Sequence, residues 1–159
     1  DIYSPKITGE LELSDELKQF NINPSGSTFT REQLVRLLRF NRMSFADFGK
    51  HEEVLRAYQS FNAQATATIK QEADTRGNKV QNFSKSVDTN IPTEFILNIP
   101  IFKGQPKEKF RVEICIDVTD ASARFWFESV ELEERIQVRV DEIFTEQLNH
   151  CQQFVIVNK

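Results

Sequence analysis

Apolar and polar residues alternate strictly over one stretch in the second half of the chain. From Phe110 to Val118 every second residue is apolar, and those between are mostly polar. Because successive side chains of a strand point to opposite faces, this pattern predicts a strand with one buried face. A similar alternation runs from Phe95 to Ile101. The turn-forming residues 103–106 (KGQP) lie between the two stretches, so together they predict a β-hairpin.

Further strands are expected on both sides of this hairpin. Pro100 lies inside the first stretch, and since proline cannot donate a ladder hydrogen bond, we expect it at a sheet edge or a bulge. Three other segments have strand-like composition: residues 80–87, 124–130 and 154–157. Together, the hairpin and these segments predict a small antiparallel sheet of about four to five strands.

Helical spacing of apolar residues dominates the first half. Ser14 can cap a short helix, which the breaker-rich residues 21–27 would end. Thr30 and Gln33 have the spacing of a capping box, so a second helix is expected from there to about residue 42. Between residues 51 and 76 the apolar positions recur every three or four residues, which predicts one long helix.

One more helical stripe, over residues 132–151, follows the third strand of the sheet. A helical half followed by a strand-rich half is typical of an α+β fold, with the C-terminal helix packed on one face of the sheet. A length of 159 residues fits a single domain. We therefore expect one α+β domain over residues 1–159, with an irregular arm (1–29), a helical part (30–76) and a sheet plus helix (80–159).

Composition narrows the classes of function. The net charge of −4 argues against a generally basic nucleic-acid-binding protein, although it leaves room for a local basic patch. The 14 Phe residues favour a dry core over a wet recognition surface. Apolar runs are too short to span a bilayer and no signal peptide is visible, so we expect no membrane association. Because the chain begins at Asp1 without Met, we also expect it to be part of a longer protein.

Residues that could carry catalysis or bind metal are few. His51 and His150 have no Cys or Asp neighbour at metal-ligand spacing. His150 adjoins Cys151, but neighbours on a helix point about 100° apart and do not face one another. Cys115 and Cys151 lie in apolar segments, where core filling is the ordinary role of cysteine. We therefore predict no catalytic residues, no metal site and no cofactor.

Acidic residues are abundant between positions 128 and 146. Most of those on the predicted helix lie off its apolar stripe, so a solvated acidic face is the ordinary interpretation. A magnesium site would need carboxylates that converge from separate elements. The acidic residues concerned are Glu128, Glu131, Glu133, Glu134, Asp141, Glu142 and Glu146.

Basic residues concentrate on the second helix, where Arg36, Arg39 and Arg42 follow one another at intervals of three. One hypothesis is that these guanidinium groups contact phosphates while Phe40 and Phe45 stack on bases. The favoured alternative is a helix face that pairs with acidic residues of the same or a neighbouring chain. The basic region 31–56 and the acidic helix would then be complementary surfaces of adjacent subunits. Arg36, Arg39 and Arg42 are thus the candidate interface or phosphate-contacting residues.

A family resemblance rests on three segments. Residues 91–104 (IPTEFILNIPIFKG) are similar to a run in the C-terminal region of the YfdQ-like family of uncharacterised phage and prophage proteins. That run leads into a second alternating strand and an aromatic third strand, which correspond here to residues 110–118 and 124–130. Residues 43–48 (MSFADF) resemble the family's F-A-x-F helix, but residues 49–51 (GKH) depart from the acidic residues that usually follow there.

The resemblance implies a phage-encoded protein that acts in the cytoplasm of a bacterial host. The family supplies no catalytic residues, and large closed homo-oligomers are the assembly it implies. We therefore expect a non-enzymatic protein that works by self-assembly or by binding another protein. The alternative is a phage protein that binds single-stranded DNA through the three arginines.

Overall fold

The computed structural model describes residues 8–61, 80–82, 91–119 and 122–152. Their elements confirm a mixed α+β fold with an antiparallel sheet and a C-terminal helix. The helices are α1 (Asp15–Phe20), α2 (Arg31–Phe40), a short 3-10 helix (Arg42–Ser44), α3 (Phe48–Gln59) and α4 (Val130–His150). The strands are β1 (Val80–Asn82), β2 (Glu94–Pro100), β3 (Lys107–Thr119) and β4 (Ser122–Glu128).

Strand β3 is the centre of the sheet and pairs antiparallel with the other described strands. Glu113 has Glu94 of β2 on one side and Glu128 of β4 on the other, so β2 and β4 lie on opposite edges of β3. β1 pairs with residues 115–117 and continues the edge that β2 occupies. Across the described residues the sheet is therefore three strands wide at any point, although four strands contribute to it, whereas four to five were predicted. The predicted strand 154–157 lies outside the described residues.

The predicted helix starts are confirmed, but one predicted helix end is wrong. Ser14 caps α1, and Thr30 and Gln33 form the capping box of α2. The helix predicted over residues 51–76 begins earlier, after the cap Asp47, and ends at Gln59. Ser60 is the C-cap, and its hydroxyl lies within hydrogen-bond distance of the Arg56 and Ala57 carbonyl oxygens in the last turn. Residues 62–76 of the predicted helix lie outside the described residues.

Aromatic rings fill much of the core between the sheet and the helices. Phe127 contacts Phe20 of α1 and Phe95 of β2, with ring centroids 5.9 and 5.6 Å apart. Phe125 meets the rings of Tyr58 and Phe61 edge-on at 5.7 and 5.6 Å. The predicted irregular arm thus contributes to the core, because Phe20 is fully buried there. This packing agrees with the prediction that the phenylalanines serve a dry interior.

Other chain segments interrupt the outer edges of β2 and β4. On β2, the backbone N–H of Ala46 donates to the carbonyl of Ile96, and the Ser14 hydroxyl donates to the carbonyl of Pro100. On β4, Phe29 and Phe125 exchange two backbone hydrogen bonds of 2.6 and 2.8 Å. The predicted edge position of Pro100 is therefore confirmed.

β4 pairs with residues 113–119 of β3, and the start of helix α4 bonds the same edge of β3 at Arg111. The Arg111 backbone N–H donates to the Glu131 carboxylate at 2.9 Å, and the Ser129 hydroxyl donates to the Arg111 carbonyl. Further along, Arg139 forms a bidentate pair with Glu108, whose side chain shares the buried face of β3 with Phe110. α4 thus lies at the margin of the same sheet face that the core covers.

Candidate functional site

Arg36 and Arg39 are exposed because α2 buries its opposite side. Leu34 and Leu38 are fully buried, and this spacing directs positions 36 and 39 to solvent. α2 ends at Phe40, and Arg42 is exposed in the short 3-10 helix that follows. The structure therefore places all three predicted arginines on the exposed side of one helix end.

Three large apolar side chains are exposed beside these arginines. Phe40 and Met43 each keep 74% of their surface accessible, and Phe48 keeps 45%. The Arg36 guanidinium carbon lies 5.8 Å from the Phe40 ring centroid, and that of Arg42 lies 4.9 Å from the Phe48 centroid, both within cation–π range. We call the set Arg36, Arg39, Phe40, Arg42, Met43 and Phe48 the arginine surface.

Across residues 8–61, 80–82, 91–119 and 122–152, none of the three arginines forms an ion pair. Other arginines of the same part of the chain do, since Arg111 pairs with Glu131 and Arg139 with Glu108. The hypothesis that Arg36, Arg39 and Arg42 neutralise acidic residues of their own chain is therefore not met by the described residues.

A buried histidine supports the turn that carries the arginine surface. His51 is 3% exposed, and its Nε2 lies 2.7 Å from the carbonyl oxygen of Leu38 in the last turn of α2. Its ring packs edge-on against Phe45 at 4.8 Å, and Phe45 stacks on Phe95 of β2 at 4.6 Å. The turn between α2 and α3 is thus tied to both helices and to the sheet.

Neither the exposure of Met43 and Phe48 nor the burial of His51 was predicted from the sequence. A signal for Met43 was present, because it follows Arg36 by seven residues and Arg39 by four, on the polar side of α2. His51, Val54 and Tyr58 have the spacing of one buried helix face, and all three are buried. Phe45, named as a possible base-stacking residue, is 3% exposed and belongs to the core.

The remaining candidate groups do not assemble into a reactive centre within the described residues. His150 is exposed and lies 3.9 Å from Glu146. Cys115 is buried, and burial, reinforced by the charge of Glu128, raises the pKa of its thiol to about 12. No group of three His, Cys, Asp or Glu side chains in the described part of the chain is placed to hold a metal ion.

A shallow depression of about 420 Å³ lies between α3 and Pro92. Its wall carries Glu52, Glu53 and Arg56, charges of both signs, and Glu53 pairs with Lys50 at 3.0 Å. The lining thus combines opposite charges with an apolar part to which Ala57 and Pro92 contribute. It is not predominantly apolar, as the lining of small-molecule pockets usually is.

The acidic residues of α4 divide into paired and unpaired groups. Glu131 pairs with Arg111 and Glu142 with Arg139, while Glu133 accepts a hydrogen bond from Asn23. Glu134 and Asp141 are exposed and have no ion pair among the described residues. The predicted solvated acidic face is confirmed, because these acidic side chains are exposed or partly exposed whether or not they pair.

Comparison with protein-family models finds no match to the chain, and comparisons with curated proteins and with solved structures also find none. Within the described ranges, no helix combines the length and apolar character needed to cross a membrane.

Proposed function

We propose that this chain is a non-enzymatic protein that works by self-assembly through the arginine surface. The observation that carries the proposal is the exposure of Phe40, Met43 and Phe48 beside arginines that have no acidic partner in the described structure. Arginine, methionine and aromatic residues are enriched in the buried centres of protein interfaces. Burial of the three apolar side chains would stabilise a complex by removing them from water.

A second copy of the chain is the partner that charge favours. The whole chain carries a net charge of −4 although the three arginines are positive, so acidic residues outnumber basic ones in the rest of the chain. A copy of the same chain therefore supplies the opposite charge. The resemblance to YfdQ-like proteins adds a context to this proposal: a phage-encoded protein in the cytoplasm of a bacterial host.

Sedimentation velocity of the full chain at low salt tests the proposal. We expect species larger than a monomer, and we expect Arg39→Glu to shift them toward the monomer because it places a carboxylate among the guanidinium groups. High salt should act in the same direction, since it screens exposed charges. Arg56→Glu is the matched control, because Arg56 is an exposed helical arginine outside the arginine surface. A wild-type monomer at high protein concentration and low salt would refute the proposal.

Binding of single-stranded DNA is the second candidate function. The pairs Arg36–Phe40 and Arg42–Phe48 combine the cations and rings that contact phosphates and bases. One face of each ring already meets a guanidinium group, which favours the protein-binding proposal. A salt titration with a labelled oligonucleotide distinguishes the two functions. Salt-dependent DNA binding by a monomer, weakened by Arg39→Glu but not by Arg56→Glu, would establish the DNA-binding alternative.

A further inference from the structure

We infer that the arginine surface of one copy binds the outer face of α4 on the next copy, in a head-to-tail arrangement. The outer face of α4 consists of Glu134, Val138, Asp141 and Thr145, all of which are exposed. This inference rests on the proposed self-assembly and names the second surface that self-assembly requires.

The outer face of α4 lies opposite the side that packs on the protein. Leu132 is buried, and Ile136, Val140 and Ile143 are partly buried against the core. With 3.6 residues per turn, positions 134, 138, 141 and 145 point away from that stripe. Because the neighbouring acids Glu131 and Glu142 already pair with arginines of the chain, Glu134 and Asp141 are the carboxylates of this helix side that remain available.

The two surfaces match in charge and in apolar content. Val138 is 53% exposed and lies between Glu134 and Asp141, which are about 10 Å apart along the helix axis at a rise of about 1.5 Å per residue. On the arginine surface, Phe40 lies between Arg39 and Arg42 in the chain, and the Arg36 guanidinium lies over its ring. Apolar side chains can therefore meet at the centre of the contact while opposite charges surround them.

The two surfaces of one copy lie toward opposite edges of the sheet. The turn that follows α2 bonds the outer edge of β2 through Ala46, whereas α4 bonds the other edge of β3 through Glu131 and Ser129. Contact between different patches on successive copies is heterologous, and such contacts form rings when the rotation closes and filaments when it does not.

Mixing two complementary variants tests the inference. Arg39→Glu disrupts the arginine surface and leaves the outer face of α4 unchanged. The double variant Glu134→Lys/Asp141→Lys disrupts the outer face of α4 and leaves the arginine surface unchanged. We expect each variant alone to sediment as a monomer. We expect an equimolar mixture to form a complex with one copy of each variant and nothing larger, because only one functional contact is left between them.

The control Glu10→Lys/Glu16→Lys makes the same change in charge at exposed acidic positions outside both surfaces, and it should assemble like the wild type. If the α4 variant assembles like the wild type while Arg39→Glu does not, the α4 inference fails and the proposed function stands. If Arg39→Glu also assembles normally, the proposed function fails. Two monomeric variants that form no mixed complex overturn the head-to-tail arrangement. Should the α4 double variant not fold, Val138→Arg replaces it at an exposed position of the same face.

Discussion

The Nε2 atom of His51, at the start of α3, lies 2.7 Å from the carbonyl oxygen of Leu38 in the last turn of α2. Because a carbonyl oxygen only accepts, Nε2 carries the proton and donates it. We expect His51→Leu to lower the free energy of unfolding by about 1–3 kcal/mol, since it removes the donor from a buried carbonyl. Chemical denaturation monitored by circular dichroism measures this loss. His51→Gln, which retains an amide donor, should lose less, and equal losses would show that the hydrogen bond contributes little.

Ile114 is fully buried on the core face of β3. We expect Ile114→Ala to destabilise the protein by about 2–5 kcal/mol, because the lost transfer free energy and the new cavity add together. Lys109→Ala, at an exposed position of the same strand, is the control and should change stability by less than about 0.5 kcal/mol. Similar denaturation midpoints for the two variants would contradict the assignment of the buried face.

Asn23 joins the loop after α1 to the start of α4. Its side chain accepts from the Ser129 backbone N–H at 2.8 Å and donates to the Ser129 carbonyl at 3.0 Å, and its φ of 55° lies in the left-handed region. Asn23→Gly removes the side-chain hydrogen bonds, but glycine adopts this φ without strain. Asn23→Ala removes the same hydrogen bonds and also strains the backbone, because alanine has a Cβ atom that disfavours the left-handed region. We expect the Ala variant to be less stable than the Gly variant by about 1 kcal/mol. Thermal melts that rank them in the opposite order would contradict this account.

Hydrogen bonds from Arg139, helped by the charge of Arg135, hold the pKa of Glu108 below its usual range. A carboxyl group with a lowered folded-state pKa stabilises the protein above its unfolded pKa, and this contribution disappears as the pH falls through the folded value. We therefore expect Glu108→Gln to lower the melting temperature at pH 7 and to match the wild type in strong acid. Glu134→Gln, without an ion pair in the described structure, should leave the melting temperature unchanged at both pH values. If the melting temperatures of the wild type and of Glu108→Gln differ by the same amount at pH 7 and in strong acid, the ionisation of Glu108 does not account for the difference.

Cys115 is expected to resist thiol reagents in the folded protein. Burial raises its thiol pKa to about 12, so almost no reactive thiolate is present at pH 8. In a Cys151→Ser variant, which leaves Cys115 as the remaining cysteine, we expect a disulfide reagent to react slowly in buffer and rapidly in guanidinium chloride. Fast labelling of the folded variant would contradict the burial of Cys115.

Local patterns of the sequence predicted much of the fold. The alternation from Phe110 to Val118 identified the buried face of β3, and the hydroxyl residues Ser14 and Thr30 identified two helix starts. These signals succeed because strand faces and helix caps depend on residues that are close in the sequence. The exposed arginines of α2 were also predicted, since its apolar stripe determines which side faces solvent.

Long-range contacts account for what the sequence did not predict. The end of α3 at Gln59 coincides with Phe61 entering the core beside Phe125, a residue more than sixty positions away. The role of His51 depends on the position of Phe45 and on a carbonyl of another helix. The spacing of His51, Val54 and Tyr58 indicates a buried helix face, but no local pattern predicts these particular contacts, because they arise only when distant segments pack together.

The pairing of Phe29 with β4, and of Ala46 with β2, has a consequence for how copies of this protein can associate. An incoming strand would have to displace these segments before it could form a ladder on either outer edge, because several carbonyl and N–H groups there are already bonded. Association that extends the β-sheet from one molecule to the next is therefore obstructed at these two edges. Contacts made by side chains on the helices avoid that obstruction, and they can form and dissociate without unfolding any part of the sheet.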